Sequence, residues 1–308
     1  MTLAPGSHFA LRLESHGEAP ALIEGDRIVS YAELARLADA FAAGLTHDVR
    51  LLAIELASCI EPIAAYLGAL RAGVPVLLHG GGASARPILA ACPPDAAYER
   101  REGHDEAWAL DRQPRRWDQP PNRELGVLLS TSGSTGSGKL VRLSQSNLQA
   151  NAESIRTYLG ITPVERAVTS LPLSYSYGLS VLNSHLTAGA SVVLTEASVA
   201  DPAFRTLVEE RQVTSIAGVP YSYELMERAG LLDALPACVR TLTQAGGRLD
   251  EARIRKVADL AARTGRRFFV MYGQTEATAR IAYVPWEELR DNIGCIGRAI
   301  PGGELWIA

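Results

Sequence analysis

The segment with the clearest chemical potential spans residues 126–139 and has the sequence GVLLSTSGSTGSGK. An apolar stretch leads into small and hydroxyl residues and ends in Lys139. Glycines allow several backbone N–H groups to converge on one anion, hydroxyls add hydrogen-bond donors, and a lysine adds a positive charge. A flexible Ser/Gly turn is the alternative. The predicted strand before the loop and the lysine at its end favour a phosphate-binding loop instead.

The spacing from Gly133 to Lys139 also matches the G-x-x-x-x-G-K pattern of P-loop NTPases. In a P-loop, the residue after the lysine is Ser or Thr and ligates magnesium, whereas Leu140 occupies that position here. A P-loop also leads directly into a helix. Residues 140–143 (LVRL) instead have a β-like pattern, and the next helix is predicted to begin near Ser146. The sequence therefore disfavours a P-loop NTPase.

The same loop resembles the phosphate-binding signature of the adenylate-forming superfamily, which includes acyl-CoA synthetases, aryl-acid ligases, luciferases and adenylation domains of peptide synthetases. Where the superfamily usually has Pro-Lys-Gly, this loop ends in Gly138, Lys139 and Leu140. The resemblance implies a catalytic role for Lys139. It also implies that the phosphates of ATP are bound by Thr131, Ser132, Gly133, Ser134, Thr135, Gly136 and Lys139.

Residues 171–180 (LPLSYSYGLS) resemble the superfamily segment that places an aromatic or histidine ring against the acyl group. Tyr175 and Tyr177 occupy the ring positions, and Gly178 is predicted to let the ligand approach. As the alternative, both tyrosines are ordinary core or surface aromatics. The resemblance predicts an acyl pocket formed by Tyr175, Tyr177, Gly178 and Gly246.

Two further segments, residues 244–249 (QAGGRL) and 271–278 (MYGQTEAT), resemble the superfamily's adenine-site and Tyr-Gly-x-Thr-Glu motifs. At a strand end, a Tyr-Gly pair offers a flat ring and close backbone approach. Thr275 offers a donor to a phosphate oxygen, and Glu276 a hard oxygen ligand for magnesium. We therefore predict that Thr275 and Glu276 are catalytic, that Thr275 also contacts phosphate, and that Glu276 binds Mg²⁺. The predicted adenine site comprises Gly246, Gly247, Arg248, Tyr272, Gly273 and Gln274.

Strand and helix patterns alternate along the chain and predict the elements that position these motifs. The capping box at Ser30 and Glu33 starts a helix, and residues 49–78 form a β-α-β unit. Further strands are predicted near residues 126–130, 168–171, 191–195, 214–217, 240–243 and 267–271. Such alternation indicates an α/β fold with largely parallel sheets covered by helices, in which ligands bind at the carboxyl ends of strands.

The predicted N-terminal adenylation core is divided into subdomains at residues 1–121 and 122–290, with the start of a small β-rich subdomain at 291–308. Residues 92–121, rich in proline and charge, are predicted to connect the two halves. The resemblance also implies that the chain stops before the ribose-binding aspartate and the C-terminal lid with its lysine. We therefore expect this chain alone to be weakly active or inactive.

Bulk properties favour small-molecule chemistry. The net charge of −4 over 308 residues gives no reason to expect nucleic acid or an anionic membrane as partner. The widely spaced cysteines and scattered histidines match neither a metal site nor a disulfide framework. No N-terminal signal or membrane-spanning run is evident, so we predict a cytoplasmic protein.

The resemblance implies that ATP and Mg²⁺ activate a carboxylic acid to an acyl-adenylate, with release of pyrophosphate. The acyl group then passes to a thiol, either that of CoA or the phosphopantetheine of an acyl carrier protein. Amino-acid-activating relatives place an aspartate within the segment matching residues 174–180, which has no acidic residue here. An aliphatic or aryl acid without an α-amino group is therefore favoured. A degenerate adenylation-like binding module without catalysis is the principal alternative.

Overall fold

The computed structural model describes residues 8–101, 107–114, 121–131 and 139–307. Its N-terminal part contains two short 3-10 segments, Phe9–Leu11 and Leu13–His16, followed by an antiparallel hairpin and a helix. These elements are β1 (Pro20–Glu24), β2 (Arg27–Ser30) and α1 (Tyr31–Gly44). The side chain of Ser30 accepts a hydrogen bond from the Glu33 backbone N–H at 3.1 Å, which confirms the predicted helix start.

A first sheet of six strands follows. Its elements are β3 (Leu52–Glu55), α2 (Ile60–Arg71), β4 (Val76–His79), α3 (Gly82–Ala91), β5 (Ala96–Arg100), β6 (Trp108–Arg112), β7 (Leu125–Ser130) and β8 (Leu140–Ser144). The strand order is β6-β5-β3-β4-β7-β8. The four inner strands are parallel, and β6 and β8 pair antiparallel at the edges. The predicted β-α-β unit is β3-α2-β4.

A second sheet of nine strands follows the order β15-β14-β13-β12-β11-β9-β10-β1-β2. Six neighbouring strands of this sheet are parallel, namely β13, β12, β11, β9, β10 and β1. At the two edges, β2 pairs antiparallel with β1, β14 with β13, and β15 with β14. The remaining elements are α4 (Gln145–Leu159), β9 (Arg166–Val168), α5 (Ser176–Ala188), β10 (Ser191–Leu194), α6 (Pro202–Glu210), β11 (Ser215–Gly218), α7 (Pro220–Arg228), β12 (Thr241–Gln244), α8 (Glu251–Arg263), β13 (Arg267–Tyr272), a 3-10 segment (Thr275–Ala277), β14 (Ala282–Val284) and β15 (Arg298–Ala299). The fold class is the predicted one, α/β with largely parallel sheets.

Sheet membership does not divide at residue 121. The N-terminal hairpin joins the second sheet, where Leu22 pairs with Val192. Strands β7 and β8 join the first sheet, although they lie after residue 121. The predicted connection at 92–121 contains two strands, β5 and β6, which pair antiparallel. Strand β6 is an edge strand with no buried residue, so its sequence lacks the apolar alternation by which a strand is predicted.

A shared core joins the two sheets. Helix α2 packs on α5, where the buried Tyr66 hydroxyl lies 3.3 Å from Asn183 Oδ1. The buried Tyr31 hydroxyl of α1 donates to the carbonyl of Ala190 at 2.7 Å. Near the C-terminus, residues 303–307 lie in no strand, and Trp306 and Ile307 are exposed. Within the described ranges, no helix is both long and apolar enough to cross a membrane.

Candidate functional site

A cleft of about 1140 Å³ opens where strand ends of both sheets meet. The ends of β4 and β7 contribute from the first sheet, and those of β12 and β13 from the second. The start of α5 closes one wall. This position follows from the topology, because parallel strands present their carboxyl ends, and the loops after them, at a common edge. A cleft of this size accommodates a nucleotide together with a small acid.

The predicted phosphate loop lies between β7 and β8, two strands that pair antiparallel. Thr131 lines the cleft, and its backbone N–H donates to the carbonyl of Lys139 at 3.0 Å. The predicted ligands Ser132, Gly133, Ser134, Thr135 and Gly136 lie outside the described residues. Lys139 is exposed at the start of β8. The chain after the lysine is an antiparallel strand, and α4 begins only at Gln145, which confirms the prediction that separates this loop from a P-loop.

The Tyr-Gly-x-Thr-Glu motif lies at the carboxyl end of β13. Tyr272 is 44% exposed and presents its ring to the cleft, beside Gly273 and Gln274. Thr275 is nearly buried, and its hydroxyl lies 3.2 Å from Ser176 Oγ. Glu276 is exposed on the cleft wall. Within the described ranges the Glu276 carboxylate has no ion-pair partner, so it is available to ligate a cation. A carboxylate oxygen is a ligand that suits Mg²⁺.

Gly273 is required by packing as well as by its position on the cleft. A Cβ at residue 273 would overlap the carbonyl oxygen of Ala279 and would lie 2.7 Å from the carbonyl carbon. The backbone N–H of Ile281 donates to the carbonyl of Tyr272 at 2.9 Å, which closes the turn between β13 and β14. The glycine therefore fixes the turn that carries Thr275 and Glu276.

The loop after β12 supplies Gly246, Gly247 and Arg248 to the cleft. Gly246 has a φ of 79°, a conformation that favours glycine, and a Cβ there would lie 2.6 Å from the Tyr175 hydroxyl. The buried amide of Gln244 donates to the carbonyl of Gly247 at 2.8 Å and holds the turn in shape. Arg248 is exposed and lies 3.5 Å from Glu251 Oε1.

The two predicted pocket tyrosines occupy different environments. Tyr175 is half-buried and lines the cleft. Tyr177 is buried in α5, and its hydroxyl lies 2.8 Å from Thr243 Oγ1. The prediction that Gly178 lets the ligand approach is not supported by its surroundings. It is absent from the described lining of the cleft, and a Cβ there would overlap the Pro172 carbonyl oxygen and lie 2.8 Å from the carbonyl carbon. Gly178 therefore allows α5 to pack on the preceding loop.

Among the described cleft residues that the sequence did not predict, His79 and Arg280 have buried ionisable side chains. His79 ends β4, is buried, and accepts a hydrogen bond from the Gly81 N–H at 3.2 Å. Its Nε2 lies 3.3 Å from Glu99 Oε1 without hydrogen-bond geometry, and burial lowers the pKa of His79 to about 4, so the ring is neutral at pH 7. Arg280 is 4% exposed, and its guanidinium lies 3.9 Å from the centroid of the Tyr177 ring. A lone arginine in the apolar run ATARIAYV was the available signal.

One group of possible metal ligands lies outside the residues that line the cleft. Glu24, Cys59 and Glu61 place ligand atoms within 4.8 Å of one another. Glu24 already accepts a hydrogen bond from the Ile60 N–H at 3.0 Å, and Glu61 pairs with Arg27 at 2.6 Å. Burial, aided by the two carboxylates, raises the pKa of Cys59 to about 12, so the thiol stays protonated. These contacts account for the cluster structurally.

Known proteins share both sequence and fold with this chain. A family model described as AMP-binding enzyme matches residues 86–308. The indoleacetate–CoA ligase of Aromatoleum aromaticum is 28% identical over 324 residues, covering 92% of this chain and 62% of that enzyme. The feruloyl-CoA synthase of an Amycolatopsis species is 29% identical over 327 residues, covering 95% and 63%. The chain thus spans less than two thirds of either relative. The crystal structure of VinN superposes with a TM-score of 0.78 at 21% identity, covering 97% of this chain and 83% of VinN, which shows a common fold.

Proposed function

Because the chain belongs to the AMP-binding enzyme family, we propose that it provides the nucleotide- and acid-binding core of an enzyme that activates a carboxylic acid with ATP. One observation carries the proposal. The segments at Thr131, Tyr175, Gly246 and residues 272–276, which are far apart in sequence and belong to both sheets, line a single cleft. A binding site assembled from several strand ends is the arrangement expected for a nucleotide and its reaction partner.

We assign the ATP-binding roles from position and chemistry. The exposed Tyr272 ring offers a flat apolar face to adenine, with the Gly246 and Gly247 backbone on the neighbouring loop. Thr275 faces the cleft with a hydroxyl that can donate to the α-phosphate, and Lys139 supplies a positive charge for the terminal phosphates. Glu276 would hold Mg²⁺, which when bound neutralises phosphate charge.

The proposed reaction is an in-line displacement at the α-phosphorus. A carboxylate oxygen of the acid forms a bond to this phosphorus, the bond to the β-phosphate bridging oxygen breaks, and pyrophosphate leaves with the electron pair. The product is an acyl-adenylate. A thiol then attacks the acyl carbon, forming a thioester and releasing AMP. The acceptor is the thiol of CoA, as the names of the two sequence relatives suggest, or the phosphopantetheine of an acyl carrier protein.

We favour an acid without an α-amino group. Glu276 is the only acidic side chain among the described residues that line the cleft, and it is assigned to magnesium. Neither Tyr175 nor Tyr177 could neutralise a substrate ammonium, and an unpaired ammonium would be costly to bury. Aliphatic and aryl acids meet no such penalty. The clustered small and aromatic side chains of the cleft suit either class.

Binding of Mg-ATP to this chain tests the proposal directly, because binding is measurable even where turnover is weak. In calorimetry we expect a one-to-one complex that weakens by roughly tenfold or more in Glu276→Gln when Mg²⁺ is present, since one charged ligand is lost. Without Mg²⁺ the variant should bind ATP no more weakly than the original chain, because the substitution then removes only a negative charge near the phosphates. Glu287→Gln, an exposed carboxylate outside the cleft lining, is the matched control and should bind as the original chain does.

Product analysis separates the alternatives. Adenylation converts ATP to AMP and pyrophosphate in the presence of the correct acid, whereas a P-loop NTPase forms ADP and phosphate. A degenerate binding module would bind ATP or an acyl-adenylate without turnover. A folded chain that binds neither Mg-ATP nor an acyl-adenylate analogue would refute the proposed function.

A further inference from the structure

Arg280 is a buried cation without a carboxylate partner in the part of the chain that the structure describes. One terminal nitrogen donates to the carbonyl of Ala279 at 3.1 Å, and Nε has no hydrogen-bond partner. The face of its guanidinium lies 3.9 Å from the Tyr177 ring centroid. This cation–π contact offsets only part of the cost of burying a charge. The side chain therefore retains hydrogen-bonding capacity that the fold itself does not use.

Nearby acidic and phenolic groups do not neutralise this charge. Glu165 is the one acidic residue on the described wall of the small cavity beside Arg280, and its Oε1 lies 3.2 Å from Arg240 and 3.9 Å from Arg267. Glu276 lines the same cleft but lies beyond ion-pair distance of Arg280. Burial raises the pKa of the Tyr158 and Tyr177 hydroxyls, so both remain neutral.

Arg280 also lies where a bound acid would reach it. It lines both the large cleft and an adjoining cavity of about 30 Å³, and so forms part of the wall between them. Tyr177, beneath the guanidinium, belongs to the segment that we assign to the acyl group. Thr275, which we assign to the α-phosphate, lines the same cleft. An acid whose reacting carboxylate faces the α-phosphate can thus extend its other end towards Arg280.

We propose that Arg280 binds a second anionic group on the substrate, and that the acid activated in this cleft is a dicarboxylic acid. This inference rests on the proposed function and narrows its substrate class. A guanidinium pairs with a carboxylate through charge-assisted hydrogen bonds, and Arg280 has N–H groups beyond the one that donates to Ala279. The same positive charge repels a substrate ammonium, in agreement with the absence of an acidic residue from residues 174–180.

Acyl-sulfamoyl adenosines, stable mimics of acyl-adenylates, test the inference by binding alone. Each pair contains a succinyl or glutaryl compound and its isostere, in which an isopropyl group replaces the distal carboxylate. We expect the chain to bind the carboxylated member of at least one pair about tenfold or more tightly, as one charge-assisted contact provides. Arg280→Met should abolish this preference by weakening the carboxylated member, and Arg280→Lys should retain part of it.

Arg290→Met is the matched control, because it removes an arginine whose surface pairing with Asp259 lies outside the cleft lining. It should keep the full preference. Equal binding of both members of every pair would overturn the inference and leave the proposed function intact. An equal loss for both members in Arg280→Met would also overturn it, because Arg280 would then contact the shared part of the ligand. If a folded chain binds neither these compounds nor Mg-ATP, the proposed function and this inference both fail. If Arg280→Met does not fold, the pairs on the unmodified chain and on Arg280→Lys decide.

Discussion

Replacing Gly273 by alanine tests whether the turn after β13 requires a residue without a Cβ at this position. The new Cβ would overlap the Ala279 carbonyl oxygen and lie 3.0 Å from the Arg280 Cα. Both contacts are with backbone, which cannot rotate away as a flexible side chain can. We therefore expect a cost at the upper end of the range for overpacking, about 3 kcal/mol. For 308 residues the entropy of unfolding is about 0.65 kcal/mol per kelvin, so Tm should fall by about 4–5 °C.

The same substitution should weaken Mg-ATP binding, because the displaced turn carries Thr275 and Glu276. Scanning calorimetry measures Tm, and titration calorimetry measures Kd on the folded variant below its transition. Gly44→Ala is the control, since Gly44 ends α1 and a Cβ there meets nothing within 4 Å. That change should leave Kd unaltered and Tm equal or slightly higher. Wild-type Tm and Kd in Gly273→Ala would refute the steric account of this turn.

Two further predictions concern buried polar groups of the fold. Tyr177→Phe removes the 2.8 Å hydrogen bond to Thr243 and should lower the free energy of unfolding by about 1 kcal/mol. In a double-mutant cycle with Thr243→Val, additive losses of stability would contradict an energetic coupling between the two hydroxyls. Burial lowers the pKa of His8, His79 and His185 to about 4, against about 6.5 in the unfolded chain. The unfolded chain therefore binds protons first, and stability should fall between about pH 6.5 and 4, by up to roughly 1.4 kcal/mol per pH unit for each histidine. In urea titrations His79→Gln should reduce this slope by up to roughly 1.4 kcal/mol per pH unit, and an unchanged slope would contradict the assignment.

Local patterns predicted the elements better than their arrangement. The β-α-β unit at β3-α2-β4 was predictable because its contacts are close in sequence and its apolar runs are bounded by clear turns. The N-terminal hairpin and its place in the second sheet were not predicted, because β1 pairs with the distant strand β10, as Leu22 does with Val192. No local pattern specifies a partner at that separation. Strand β6 was missed because one exposed edge strand does not require an apolar face.

The cleft was predictable in outline for a topological reason. Motifs placed at the ends of parallel strands must meet at one edge, so locating β12 and β13 was enough to bring Gly246 and Tyr272 together. Arg280 was missed because its importance comes from burial without a counter-charge, which depends on Tyr177 and on the absence of a carboxylate within ion-pair distance among the described residues. Neither condition can be detected in a short run of sequence.

The sequence alone does not show why a motif contains glycine, because close approach of a ligand and close packing of the backbone both require the absence of a Cβ. Gly246 has a positive φ and faces the cleft, which agrees with a binding role. A Cβ at Gly178 would meet the Pro172 carbonyl, and a Cβ at Gly273, which also lines the cleft, would meet the Ala279 carbonyl. A signature glycine can therefore be indispensable to the site without touching the ligand. For Gly273, any substitution should reduce stability and nucleotide affinity together, whereas loss of a purely ligand-contacting group such as the Glu276 carboxylate should reduce affinity alone.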